Sequence, residues 1–162
     1  MDALLHALDP VVWAQDQISF TCDPWQAEFL RSPARQIAAV TSRQSGKSTI
    51  TALLAVHTAI YQPRSLVLIT SPTQRQAGEL LRKCHSTLTT PRLGIKLTAD
   101  AVTSLELANG SRILSLPANP DAVRGMSSPA LVIEDEASWC PDELHLHCGP
   151  CWRRPRVAAS FC

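Results

Sequence analysis

The sequence predicts an α/β fold: a mostly parallel sheet with helices on its faces. Three observations carry this. Short apolar runs bounded by turn residues alternate with stripes at helical spacing, the β-α-β-α order that parallel strands and crossover helices require. From Gln36 to Ile60 a strand-like run, a loop of small and polar residues and an apolar-faced helix follow one another. Residues 93–117 then change character and carry the signal of an antiparallel hairpin.

Taken in order, residues 1–22 read as an N-terminal lead-in with short helical patches around Leu4, Leu5 and Leu8 and then Val11, Val12 and Trp13. A helix follows at Asp23-Pro24-Trp25-Gln26, with Asp23 as N-cap and Pro24 in the first turn. Gln26 falls at the third helical position. Its chemistry favours a capping-box glutamine, and the alternative is an amide that reads an adenine edge. Gln36–Val40 is an apolar strand. After the loop, Ile50, Leu53, Leu54, Val56 and Ile60 lie mostly on one helical face, and Pro63 ends the run. Ser65–Thr70 is continuously apolar in its centre, as a strand buried on both faces requires. Ser71-Pro72-Thr73 turns the chain into a second helix with Ala77, Leu80, Leu81, Cys84 and Leu88 as its stripe. Asn109-Gly110 between Leu105–Leu107 and Arg112–Leu116 is the hairpin. Residues 117–129, with Arg124-Gly125, read as a loop before the short strand Ala130–Ile133, which runs into Glu134-Asp135-Glu136.

The loop Thr41–Ser48 ends in Gly46-Lys47-Ser48 and has the strand-loop-helix setting of a phosphate-binding loop. Backbone N–H groups and a helix N-terminus cradle an anion there. Lys47 reaches the outer phosphates and the Ser48 hydroxyl holds magnesium. The pattern G-x-x-x-x-G-K-[ST] is met except at its start, where Thr41 replaces glycine. An apolar strand ending in consecutive acids is costly unless the charges are used. Asp135 is the expected metal residue, through water, and Glu136 the base that polarises the attacking water, while Glu134 alternates to the other face. The bland reading, a solvated acidic strand end, yields because the same chain carries the loop. Arg43, four residues before Lys47, suits an arginine finger acting in cis, with a loop-shaping salt bridge as its ordinary role. Arg124, as a sensor of phosphate or DNA, ranks below it.

The whole chain sets bounds. Its 162 residues suffice for one domain with a core, and 45% hydrophobic with 18% charged residues is the composition of a soluble globular protein. A net charge of +1 makes no general case for nucleic acid, although a local basic groove remains compatible with it. No signal peptide and no uninterrupted apolar span long enough for a membrane are visible, so an intracellular protein is expected. Cys22, Cys84 and Cys140 read as reduced or core thiols, while Cys148, Cys151 and Cys162 crowd the end.

Together these motifs resemble the N-terminal ATPase domain of the large terminase subunit of tailed bacteriophages. The matching stretches are Asp23-Pro24-Trp25-Gln26, Ser42-Arg43-Gln44-Ser45-Gly46-Lys47-Ser48, Ser71-Pro72-Thr73 with Gln76, the Asn109-Gly110 hairpin, and Arg124-Gly125. Leu131–Ala137 and Pro141-Asp142-Glu143-Leu144 complete the set. The resemblance spans roughly residues 8–144, and arginine near the loop's start fits the absent glycine. It implies a P-loop NTPase fold of the RecA/ASCE type with an inserted hairpin, over 23–144. It further implies a motor that uses ATP and Mg2+ to push viral DNA into a capsid. The implied nucleotide site is Gln26, Ser42, Gln44, Ser45, Gly46, Lys47, Ser48 and Thr49, with Ser48 and Asp135 at the metal and Glu136 and Arg43 catalytic. Implied partners are double-stranded DNA, a portal ring, a small terminase subunit and further copies of the chain, in the bacterial host cytoplasm and without a membrane. The alternatives are a helicase-type motor, which needs further motifs and a second motor domain, and an inactive prophage remnant.

The end of the chain departs from the family. Residues 145–162 read as an aberrant tail, frameshifted or disordered, and no acidic cluster for a nuclease follows Glu143, so no endonuclease activity is expected. Cys148-Gly149-Pro150-Cys151 lacks the strand-to-helix setting of a redox site, and with His145 and His147 it is too bunched to surround zinc. Read two bases out of phase, the Cys151–Trp152 junction gives leucine and the Trp152–Arg153 junction permits alanine, as a frameshift near 145–147 would produce. The sheet is therefore expected to be incomplete at the C-terminus, with a gap between the Lys47 strand and the acidic strand. Weak nucleotide binding, poor solubility and negligible turnover would follow.

Overall fold

The computed structural model describes residues 2–42, 44–124, 126, 128–140 and 156–161, the last six and Asp2 and Arg124 by their backbone. Two short helices, α1 (Asp2–Leu8) and α2 (Pro10–Ile18), precede α3 (Pro24–Arg31). Then come β1 (Gln36–Val40), α4 (Lys47–Tyr61), β2 (Leu66–Ser71) and α5 (Gln74–Leu88). The strands β3 (Leu97–Ala101), β4 (Ser104–Leu107) and β5 (Arg112–Pro117) follow. The short α6 (Pro120–Arg124), β6 (Leu131–Glu134), a 3-10 turn at Ala137–Trp139 and β7 (Arg156–Phe161) close the order.

Among the described residues the sheet runs β1-β7-β6-β2-β5-β4-β3. The pairs β1–β7, β7–β6, β6–β2 and β2–β5 are parallel, and β5–β4 and β4–β3 are antiparallel. This is the expected parallel sheet with an appended hairpin, and β3 extends the hairpin by one more strand. Its Leu-Thr-Ala-Asp-Ala sequence alternates only weakly, with alanine at two of its three apolar positions, as suits an edge strand with a mostly exposed surface. The expected loop at 117–129 contains α6, one helical turn opened by Pro120.

The expected gap beside the acidic strand is filled. Arg156–Phe161 lies parallel between β1 and β6 and pairs with both, Gln36–Val40 on one side and Leu131–Glu134 on the other. The reason is the cost of leaving two strand edges unpaired in the middle of a sheet. A short extended run of Val, Ala, Ala, Ser and Phe offers a partner to both. That segment belongs to the stretch expected to be an aberrant tail. The motif Cys148-Gly149-Pro150-Cys151, with His145 and His147, lies outside the described residues.

β2 shows why its sequence is apolar throughout. Val67 and Ile69 join the large core with α2, α3, α4 and α5, whereas Leu66 and Leu68 face Val123, Val132 and Cys140 on the opposite side. Successive strand side chains point to opposite faces, so a strand covered on both sides has no polar position to alternate. The lead-in helices pack on α4. His57 Nε2 meets the His6 carbonyl at 2.8 Å, and the His57 ring contacts Trp13 edge-on at 5.4 Å between centroids.

Candidate functional site

The loop opens at the end of β1 and closes at the first turn of α4. Gly46 is the N-cap of α4 with φ +88°, a conformation that favours glycine. A Cβ on Gly46 would stand 2.8 Å from the Gln26 amide nitrogen, so the loop also needs glycine for room. Gln44 takes the other positive φ of the described loop residues, 61°, and Thr41 has none. Thr41 therefore replaces the pattern's first glycine without strain. Its hydroxyl instead pairs with the Ser45 hydroxyl at 2.6 Å and ties the loop across its width.

Lys47 Nζ donates to the carbonyls of Thr41 (2.9 Å) and Ser42 (2.8 Å), folding back across the loop. Ser48 and Thr49 are half-buried in the first turn of α4. The amides of Lys47 and Ser48 lie there outside the helical ladder, free of an intrahelical acceptor. Gln26, nearly buried, joins the site from α3. Its Oε1 accepts the Asp23 backbone N–H at 2.9 Å, the capping-box bond, and its Nε2 donates to the Ser45 carbonyl at 3.3 Å. Arg43 lies outside the described residues, and Arg124 is placed by its backbone at the end of α6.

The acids leave the same edge of the sheet. Ala38 of β1 and Glu134 of β6 are both level with Ala159 of β7. Two strand spacings of about 4.8 Å then separate β1 from β6 by roughly 10 Å. Parallel strands send their C-terminal ends to one edge, where α/β sheets bind ligands. Glu134 is buried, while Asp135 and Glu136 are half-buried. The Asp135 N–H donates to the Thr70 carbonyl at 2.8 Å and continues the β6–β2 ladder. Glu136 follows in a left-handed conformation, φ 54°. Its Oε2 accepts from Gln76 Nε2 at 2.6 Å.

Gln76 belongs to the terminase-like motif set, which assigns it no role. Thr73-x-x-Gln76 has the form of a capping box, and that signal places the side chain at a helix start, though not its partner. Cys140, expected from the sequence to be a reduced or core thiol, is a second neighbour. Its Sγ lies 3.9 Å from the Glu136 carbonyl. Burial first, and then the nearby Glu134, Asp135 and Glu136 charges, push its thiol up to about 11. A cavity of about 860 Å³ lined by Asp9, Arg31, Arg35, His57 and Gln62 lies toward the other end of α4, away from this edge. No cluster of three metal-ligating side chains occurs among the described residues, nor a helix long and apolar enough to cross a membrane.

A family model described as "Terminase large subunit, T4likevirus-type, N-terminal" matches residues 39–157, from the end of β1 to the start of β7. The chain belongs to this terminase family. Solved structures agree in fold. The large terminase ATPase domain of Thermus phage P74-26 superposes with TM-score 0.73 at 21% identity, covering 96% of this chain and 71% of that one. The large terminase of bacteriophage HK97 gives 0.74 at 14% identity, with 96% of this chain and 37% of that one covered. A large terminase of a thermophilic bacteriophage, solved with ADP, gives 0.61 at 10% identity, over 96% and 38% of the two chains. The terminase chain described here thus spans most of an ATPase domain and little more than a third of whole large terminases. Comparison with curated proteins gives no match.

Proposed function

We propose that this terminase chain is the ATP-binding and ATP-hydrolysing motor domain of a phage large terminase, and that it powers DNA packaging. One observation supports the reading: the strands that lead into the Gly46-Lys47-Ser48 loop and into Asp135-Glu136 run parallel and end at the same edge of the sheet, with Ala38 and Glu134 level across β7. The donor set fits magnesium and a nucleoside triphosphate. A hydroxyl (Ser48) and a carboxylate (Asp135) are hard oxygen ligands, and the amides at the start of α4 suit phosphate.

Magnesium, when bound, neutralises charge on the outer phosphates. The chain supplies the rest. Lys47 gives up its two carbonyl partners for phosphate oxygens. Ser48 and, through water, Asp135 would hold the metal, and Ser42, Gln44, Ser45 and Thr49 would close the loop around the anion. Glu136 takes the proton of the attacking water. Gln26 Oε1 serves the cap and one Nε2 hydrogen goes to the Ser45 carbonyl, which leaves the second Nε2 hydrogen for an adenine acceptor. Arg43 is the arginine offered to the γ-phosphate. Double-stranded DNA, a portal ring, a small terminase subunit and further copies of the chain are the proposed partners, in the cytoplasm of a bacterial host.

The test is binding of a fluorescent ATP analogue, together with Mg2+-dependent ATP turnover in the presence of double-stranded DNA. Lys47→Ala should abolish binding. Glu136→Gln should retain binding and lose turnover by about 100-fold or more. A chain that binds no nucleotide, or one whose Glu136→Gln variant turns over normally, would refute the proposal.

A further inference from the structure

We propose that Gln76 is a positioning residue for Glu136, holding one carboxylate oxygen so that the other faces the reacting water; this rests on the reading of Glu136 as the base. In an ordinary capping box the glutamine side chain returns to the N-cap backbone. Here the forward half forms, with the Gln76 N–H donating to Thr73 Oγ1 at 3.3 Å. The side chain goes elsewhere. Thr73 Oγ1 donates to Gln76 Oε1 at 2.6 Å, and Nε2 points to Glu136 Oε2, also at 2.6 Å.

The orientation of the amide follows from chemistry. The Thr73 hydroxyl oxygen is occupied by the Gln76 backbone N–H, so its hydrogen is available to the amide oxygen. A flipped amide would set Oε1 against a carboxylate oxygen, two acceptors facing each other. The charge on Glu136 therefore selects the N–H. Such a bond to a charged acceptor is short and strong.

The placement is independent of Glu136's own strand. β2 is the parallel neighbour of β6, with Thr70 opposite Glu134, and α5 starts three residues beyond the end of β2. The amide thus arrives from the next element of the sheet. Glu136 has a flexible side chain on a backbone turned left-handed at φ 54°. The backbone is held by the Asp135 N–H on Thr70 and by the Trp139 N–H on the Glu136 carbonyl. Gln76 supplies the restraint on the side chain. With Oε2 held, Oε1 takes the proton, and misplacement of a reacting group costs rate rather than affinity.

The experiment compares Gln76→Leu, Gln74→Leu and Glu136→Gln in the full chain, with Mg2+, ATP and double-stranded DNA. The readouts are kcat, KM, the Kd of a fluorescent ATP analogue and the melting temperature. Gln74 is the control for structure at the same helix start, since its Nε2 bonds the Ser115 carbonyl and hydroxyl. Gln76→Leu should lower kcat by about 10- to 100-fold, with KM and Kd within twofold and the melting temperature kept. Gln74→Leu should lower the melting temperature and leave kcat within about threefold. If Glu136→Gln abolishes turnover while Gln76→Leu keeps kcat, the inference falls and the base assignment stands. Loss of Kd and melting temperature in Gln76→Leu, in parallel with kcat, makes Gln76 merely structural and also overturns it. Turnover retained in Glu136→Gln, or absent from the unsubstituted protein, sinks both.

Discussion

Gly46 meets two demands at one atom. Its φ of +88° is strained for other residues, and an added Cβ would press on the Gln26 amide at 2.8 Å. Gly46→Ala should therefore destabilise the protein by about 1–3 kcal/mol and weaken nucleotide binding, as denaturant titration and analogue fluorescence would show. The cysteines make a second residue-scale prediction. Cys84 is wholly buried and its thiol is pushed up to about 12, and Cys140 to about 11. Because the thiolate is the reactive form, both should stay unmodified when the native protein meets iodoacetamide at pH 8, and both should react after denaturation. Peptide mass mapping checks this, and labelling of native Cys84 would contradict its burial.

At the scale of elements, the hairpin turn does more than reverse the chain. Asn109 Nδ2 donates to the carbonyls of Ala59 (2.8 Å) and Ile60 (3.1 Å), the last turn of α4, while its Oδ1 accepts the Ser111 N–H at 3.0 Å. The Asn-Gly signal that announces a hairpin therefore also caps α4 at its far end. Asn109→Asp keeps the acceptor, loses the donor and sets a negative charge at a helix C-terminus. It should cost about 1–2 kcal/mol in urea unfolding while nucleotide affinity is unchanged. A smaller clasp joins α2 to α3, where Arg31 Nη2 meets Asp9 Oδ2 at 2.7 Å. Partial burial works to raise the Asp9 pKa, but Arg31 and the amides of Val11 and Val12 prevail and hold it below 3.8. A depressed folded pKa stabilises above the unfolded value, so this contribution is complete at neutral pH and fades as pH falls below about 3.8. Being partly exposed it is small, and Asp9→Asn should flatten the acid limb of a melting-temperature profile only slightly.

Across the whole molecule, β7 decides whether the site is assembled. The two halves of the proposed site follow the ends of β1 and β6, and the strand between them sets the spacing and register of those strands. Deleting residues 145–162 exposes two facing edges in mid-sheet. The shortened chain should lose its cooperative thermal transition and bind nucleotide at least 10-fold more weakly, since misplaced binding groups cost affinity. Equal melting and equal affinity would show that β1 and β6 are held without β7.

What the sequence by itself determined was local. Gly46-Lys47-Ser48 after an apolar run, Asp23-Pro24 before a helix, Asn109-Gly110 between strands and three acids after Ile133 each have a short-range physical cause, and each element was found where that cause put it. Boundaries moved by a residue or two, and β3 and α6 were missed because an exposed edge strand and a single turn leave little periodic signal. Tertiary structure decided what depends on long-range pairing. Whether Arg156–Phe161 enters the sheet is set by the unpaired edges of β1 and β6, more than a hundred residues and some twenty residues away in the chain. The contact between Gln76 and Glu136 joins residues 60 apart in sequence. Local propensity specifies neither, because hydrogen bonds between distant groups are chosen by what the fold leaves unsatisfied.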